Sequence, residues 1–462
     1  MAGADTTASS GPSTTGAVST DTQSQSQQQH TGSHETTTNP GNGEGSFPLA
    51  AQISLKEFQI PDFPSQASRL RQLTLTADIK LDEYQGKVQI PDDAVVTQPP
   101  LPNLPQSITH LNLELFGLGF PGKPPFLGRL ARSLPNLSSV TFFSCLIDGL
   151  DDNSRKDAEA FFRLLPNLQE LHLIDSFARP GFFETLGGIL EDRAQASQSE
   201  DKDSGGGGLK VVNVSYTFRG HEDSDFLARV HGAELPKLIV KGVVGASFDF
   251  VPEAVDELAE EENNEQNGNE GEGKQKRKKK KEDIAEGILP FASDGRAPAA
   301  LKKRFVDLKE PGEGALQRLR VLNLGMWSLR PAEVGEIVVK ACAGGRGNGG
   351  KAGLADLTVS VLLEENWIDE FVKGFGEKGN GIAPDLEGIE IIGVPSNANE
   401  VSEGEDGPDW KQGGGLSLVK LADVQRLNEV CPRLGKLGMS ILKVGSAPNV
   451  LFLKEGESWA QQ

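Results

Sequence analysis

The sequence predicts an α/β solenoid: a single parallel sheet whose strands are joined by outer helices and curve into a horseshoe. Three observations predict it. A unit of Leu, two variable residues, an aliphatic, one variable residue and a second aliphatic recurs between residues 70 and 439. A motif returning at intervals of tens of residues marks one supersecondary unit stacked on its copies. The last two aliphatics of each unit are two apart, the period of a strand with one buried face. Stretches between units carry helical spacing, and strand–helix–strand repetition gives parallel strands with helical crossovers.

Along the chain, residues 1–45 are Ser, Thr, Gln and Gly with almost nothing apolar. Such a tail does not bury enough surface to offset its ordering entropy and is expected to be disordered. The units follow as Leu70/Leu73/Leu75, Ile108/Leu111/Leu113, Leu137/Val140/Phe142, Leu168/Leu171/Leu173 and Leu209/Val212/Val214. After a long interruption come Leu319/Leu322/Leu324, Leu354/Leu357/Val359, Leu386/Ile389/Ile391 and Leu434/Leu437/Met439. A further copy lies around LPKLIVKGV, led by either Leu235 or Leu238.

Between units, SRKDAEAFFRLLPNL places Ala158, Phe161, Phe162 and Leu165 at i, i+3, i+4 and i+7, one apolar stripe. Ser154 with Asp157 resembles a capping box at its start. Pro166 ends the helix, because the residue before Pro disfavours the α region. Pro135, Pro384 and Pro432 occupy the same place before their units, as does Pro236 if Leu238 leads. Further helices are expected over 126–134, 180–193, 222–231, 331–343, 366–375 and 420–431. Residues 195–208, 253–300 and 397–415 read as insertions. The resulting organisation is a tail (1–45), a first repeat block (46–252), a disordered acidic and Lys-rich insertion (253–300), a second block (301–450) and a C-terminal tail (451–462).

With these units the chain resembles the leucine-rich-repeat superfamily, more closely its ribonuclease-inhibitor-like, helix-containing branch, over roughly residues 65–445. VCPRLGKLGM, ending at Met439, is similar to the Cys-Pro-x-Leu unit of F-box-type substrate receptors. The resemblance implies strands on the concave side and helices on the convex side, and says little about task. The chain departs from the pattern in three ways. The Asn or Cys expected after the last Leu is mostly missing, Cys145 being the nearest approach. Repeats run from about 29 to 48 residues, against the usual 20–29. No F-box-like helical triplet is read before the repeats.

Composition excludes several classes. Net charge is −20, so bulk electrostatics do not favour nucleic acid, and direct binding to it is not expected. The longest apolar runs fall short of a membrane span. The N-terminal residues lack the charged and apolar regions of a secretory signal. Cys145, Cys342 and Cys431 are scattered, which suits a reducing compartment. No GxSxG, HExxH, P-loop or dinucleotide motif stands in the required context, and no cofactor or metal is expected. The glycine-rich GGRGNGGKAG, 344–353, reads as a connector. His110 and His172 fall at variable positions on neighbouring units and read as solvated rather than catalytic.

Two features carry the functional expectation. Between the paired aliphatics stand Thr74, Asn112, Thr141, His172, Asn213, Asn323, Thr358 and Glu390. Alternation puts this row, with Glu170, on the concave face, where it suits an extended protein partner. The second feature is the run Lys274, Lys276, Arg277, Lys278, Lys279, Lys280 and Lys281, which reads as a nuclear-localisation signal or anion contact. Its acidic neighbour points to a basic partner. The expected protein is therefore a monomeric, non-enzymatic scaffold or adaptor in the nucleus or cytoplasm, the lysine run favouring the nucleus. A substrate receptor of a ubiquitin ligase and a nuclear ribosome-assembly or chromatin factor are the alternatives.

Overall fold

Each repeat unit contributes one strand to one sheet. The computed structural model describes residues 49–63, 67–79, 101–199, 208–218, 227–252, 296–310, 313–314, 318–342, 353–377, 382–395, 403–404, 407–408, 418–441 and 449–462. Phe47–Gln462 cluster as one unit; the other, Met1–Ser46, lies outside the described residues. So do 253–295, with the lysine run, and the glycine connector up to 352.

The sheet strands are β1 (Ala50–Leu55), β2 (Gln72–Ala77), β3 (His110–Glu114), β4 (Ser139–Phe143), β5 (Glu170–Ile174), β6 (Val211–Phe218) and β7 (Gly245–Pro252). They continue as β8 (Val321–Leu329), β9 (Asp356–Leu363), β10 (Gly388–Pro395), β11 (Lys436–Ile441), β12 (Val450–Glu455) and β13 (Ser458–Gln461). The strands lie side by side in chain order. β1 to β11 pair in parallel throughout, while β12 and β13 run antiparallel at the end. Sequential order with parallel pairing is the topology of a solenoid, in which each unit meets only its neighbours.

Among the described residues, the helices that join or flank the strands include α1 (Leu127–Ser133), α2 (Asp152–Arg163), α3 (Phe182–Ser199), α4 (Arg296–Asp307), α5 (Pro331–Cys342), α6 (Trp367–Gly374) and α7 (Leu421–Val430). Within the stretches α1–α3 and α4–α7, each helix packs against the next. The paired aliphatics are in register and buried: Leu73, Leu111, Val140, Leu171, Val212, Leu322, Leu357, Ile389 and Leu437 form one such row. A phenylalanine chain threads the first block through Phe58, Phe116, Phe120, Phe142, Phe161, Phe162, Phe182 and Phe183, with successive rings 4.6–6.4 Å apart. These rings replace the smaller aliphatics that a shorter repeat would need, because crossovers this long leave more interior to fill.

Several expectations need correction. The unit near LPKLIVKGV is led by neither Leu235 nor Leu238, which lie in a 3₁₀ turn. Its strand is β7, with Ala246 and Phe248 aligned to Val212 and Val214, so Val243 is the leading residue. Small Ala246 in an aliphatic position hid the motif. The capping box on α2 is also displaced. Asp151 is the N-cap and accepts the Ser154 N–H at 2.8 Å. Asp157 instead turns to the neighbouring helix, described below.

Three boundaries shift. The insertion expected over 195–208 begins later, because α3 runs to Ser199. α4 starts at Arg296, inside the expected 253–300 insertion; buried Ala297, Leu301 and Phe305 at i, i+4 and i+8 hold it on the core. Arg304 ties it down through the Ile239 carbonyl at 2.9 Å and an ion pair with Glu191. The tail expected over 451–462 is ordered as β12 and β13, a hairpin around Gly456. Its φ of +64° suits Gly at a two-residue turn. Pairing β12 antiparallel against β11 covers the last parallel edge, which would otherwise expose unpaired backbone groups.

Candidate functional site

The helices cover one face of the sheet, and the other face carries the residues the sequence singled out. Thr74, Asn112, Thr141, His172 and Asn213 are direct cross-strand partners on β2 to β6. Ser247 continues the row on β7, followed by Asn323, Thr358 and Glu390. Glu170 belongs to a parallel row one step nearer the strand starts, with Gln72, His110 and Ser139 before it and Val211 after it. All nine singled-out residues thus lie on one face, in two rows.

Several of these side chains are already engaged. Asn112 donates to the Thr74 hydroxyl at 3.2 Å, and Thr74 is only 8% exposed. The Asn323 carbonyl oxygen accepts the Gly325 N–H at 2.8 Å, and its amide bonds Asp249. Asn323 therefore anchors the irregularity in β8, where register to β9 shifts between Leu324 and Ser328. That shift leaves Met326 and Trp327 buried. His172 lies 3.8 Å from Glu170. Burial pushes its imidazole below the usual range, Glu170 opposes this and His110 adds to it, so it stands neutral at pH 7.

A third row, nearest the strand ends, was not singled out by the sequence. It runs Ser54, Thr76, Glu114, Phe143, Ile174, Ser215 and Asp249. Thr76 donates to Glu114 at 3.1 Å. Burial raises the Asp249 carboxyl, against the bonds from Phe250 and Asn323, and Glu390 raises it further. Phe143 and Ile174 are half-buried, and beyond them Leu115 and Phe177 are 52% and 39% exposed. The motif does not reach this row, because it starts one residue after the last aliphatic.

The strand exits share a conformation. Leu115, Ser144 and Asp175 have φ of 65°, 52° and 46°. Their N–H groups donate to Phe143, Ile174 and Ser215 on the next strand. In the following position the Cys145 thiol donates to Leu113 and Phe143 carbonyls at 3.2 and 3.3 Å. Ser176 accepts the Cys145 N–H and donates to Ile174. Cys145 and Ser176 thus fill the place where the resemblance led one to expect Asn or Cys. Burial pushes the Cys145 thiol up to about 12, which makes it a structural group rather than a nucleophile.

Among the described residues no three His, Cys, Asp or Glu side chains are grouped to hold a metal ion. No helix among them is long and apolar enough to cross a membrane.

No family model matches the chain, and neither does any curated protein compared with it. Among solved structures, the leucine-rich repeat-containing protein LegL7 from Legionella pneumophila matches at 13% identity and a TM-score of 0.37, covering 84% of this chain and 91% of that one. The fold, an α/β solenoid of sequential parallel strands, rests on the strand order and register of the chain itself.

Proposed function

We propose that this protein is a non-enzymatic interaction scaffold whose partner, another protein, docks on the open face of the sheet. One observation carries the reading: eleven parallel strands present aligned rows of short polar, acidic and a few apolar side chains on a face that no helix among the described residues covers. A repetitive face of fixed spacing suits an extended surface. Its histidines and carboxylates are spread along the rows rather than converging on one reacting atom. The lysine run, outside the described residues, supports a nuclear address.

The test is affinity purification of the full chain beside a variant with Asn213→Arg and Thr358→Arg. Proteins recovered with the native face and lost with the variant support the reading. An unchanged set refutes it. A second reading, a ubiquitin-ligase substrate receptor, is favoured by VCPRLGKLGM and requires a cullin adaptor in the recovered set. A third, the ribosome-assembly or chromatin factor, requires nuclear accumulation that disappears when Lys276–Lys281 become Ala.

A further inference from the structure

We propose that the strand-end patch of Phe143 and Ile174 anchors a cationic segment of the partner that also carries apolar side chains. The inference rests on the reading above and specifies the partner's chemistry. Glu114, Phe143, Ile174, Ser215 and Asp249 are consecutive cross-strand neighbours on β3 to β7. At about 4.8 Å between strands they span about 19 Å, the reach of about six extended residues. Phe143 and Ile174 sit in the middle with carboxylates at both ends. Leu115, whose N–H donates to the Phe143 carbonyl, and Phe177 extend the apolar surface past the strand ends. Glu170 lies on the same strand as Ile174, two steps down the face.

Charge decides the partner's sign. Across the three rows on β1 to β11 the carboxylates are Glu114, Glu170, Asp249, Asp356 and Glu390, and the only ammonium is Lys436, on β11. On β1 to β8 the rows hold no Lys or Arg. The helix side is mixed: Arg155 and Arg163 pair with Glu159, and Lys302 with Glu333. Arg320 and Lys436 oppose Asp356 on β9, but around the apolar centre on β3 to β7 the rows carry carboxylates and no Lys or Arg, which attracts a basic segment and repels an acidic one. The chain's own KQKRKKKK has the charge but no apolar residue to fill the centre. A separate partner segment alternating basic and apolar residues meets both requirements.

Fluorescence polarisation on the full chain tests this. The probe is a labelled hexapeptide alternating Lys or Arg with Leu or Phe, beside a counterpart with Glu for every basic residue. The basic probe should bind and the acidic one should not. Glu114→Gln with Glu170→Gln, which preserves shape, should weaken binding about tenfold at low salt. Ile174→Thr should weaken it several-fold, and Glu159→Gln on α2 should leave it unchanged. Circular dichroism identical to the parent's confirms that each variant is folded. Equal binding of the acidic probe, indifference to the face variants or an equal loss with Glu159→Gln would overturn the proposal. So would binding that emerges only when Lys274–Lys281 are replaced by Ser, since the chain's own run would then be the occupant. If both probes fail while the purification still yields a face-dependent partner, this inference falls and the scaffold reading stands.

Discussion

Asp157 offers the sharpest test of how these repeats hold together. It lies on α2, yet its carboxylate accepts the backbone N–H groups of Phe126, Leu127 and Gly128 at 2.8, 2.7 and 3.0 Å. The Leu127 and Gly128 groups are orphan donors at the start of α1, whose own N-cap position, Phe126, has no side chain to satisfy them. Asp157 thus caps the helix of the preceding unit and couples two repeats. In Asp157→Ala the Leu127 and Gly128 donors lose their acceptor, while Phe126 keeps the Pro121 carbonyl at 3.1 Å. An orphaned buried donor costs about 1–3 kcal/mol, but water entry and relaxation recover part, so a loss of about 3 kcal/mol is expected. Asp157→Asn keeps one acceptor oxygen and should lose less.

The same residue carries a pH signature. Burial outweighs the three donors and lifts its carboxyl from 3.8 to about 6. The folded state therefore binds more protons than the unfolded chain between those values. Its contribution is greatest below pH 3.8 and declines as pH rises through 6, by at most about 3 kcal/mol at about 1.36 kcal/mol per unit. Urea midpoints of parent, Asp157→Ala and Asp157→Asn measured from pH 4 to 7 would show both effects. Amide hydrogen exchange at residues 127–130 would localise the loss to α1. Equal midpoints for parent and Ala, or a parent-minus-Asn difference that does not decline with pH, would refute the trans-capping account.

His231 is buried, only 1% exposed, and burial pushes its imidazole down to about 4. The unfolded chain binds the extra proton between pH 4 and 6.5, so stability should fall as pH drops through that window; His231→Phe should flatten this fall in thermal melts. Asp148, fully buried, accepts the Arg179 N–H and Nε at 2.8 and 3.2 Å and lies 3.7 Å from Arg155. Asp148→Ala strands these donors and should cost about 3 kcal/mol in urea unfolding, whereas a cost below about 0.5 kcal/mol would mean the network is slack. A Cβ on Gly335 of α5 would meet the Gly374 Cα of α6 at 2.6 Å. Gly335→Ala should therefore destabilise by about 1–3 kcal/mol despite its better helix propensity, and a stabilised variant would show that the two backbones can part.

Much of the architecture was legible in the sequence because the solenoid writes its core as a local pattern. The aliphatic spacing that places Leu171 and Leu173 inside also places His172 outside, and no distant contact is needed to decide it. Seven-residue α1 and twelve-residue α5 fall within the helices expected over 126–134 and 331–343 for the same reason. Where the local pattern weakened, legibility failed. Ala246 disguised the β7 unit, and α4 was cut off by a boundary drawn on composition.

The sequence by itself determined the repeat, the polar row on its open face and the cationic run, since each is set by neighbours in the chain. Only the tertiary structure decided which members of that row are engaged, because Asn323 and Thr74 find partners on strands far away in sequence. It likewise decided that Asp157 serves another helix and that Phe143 and Ile174 meet between carboxylates. These are pairings between units, and the distances that create them exist only once the repeats are stacked.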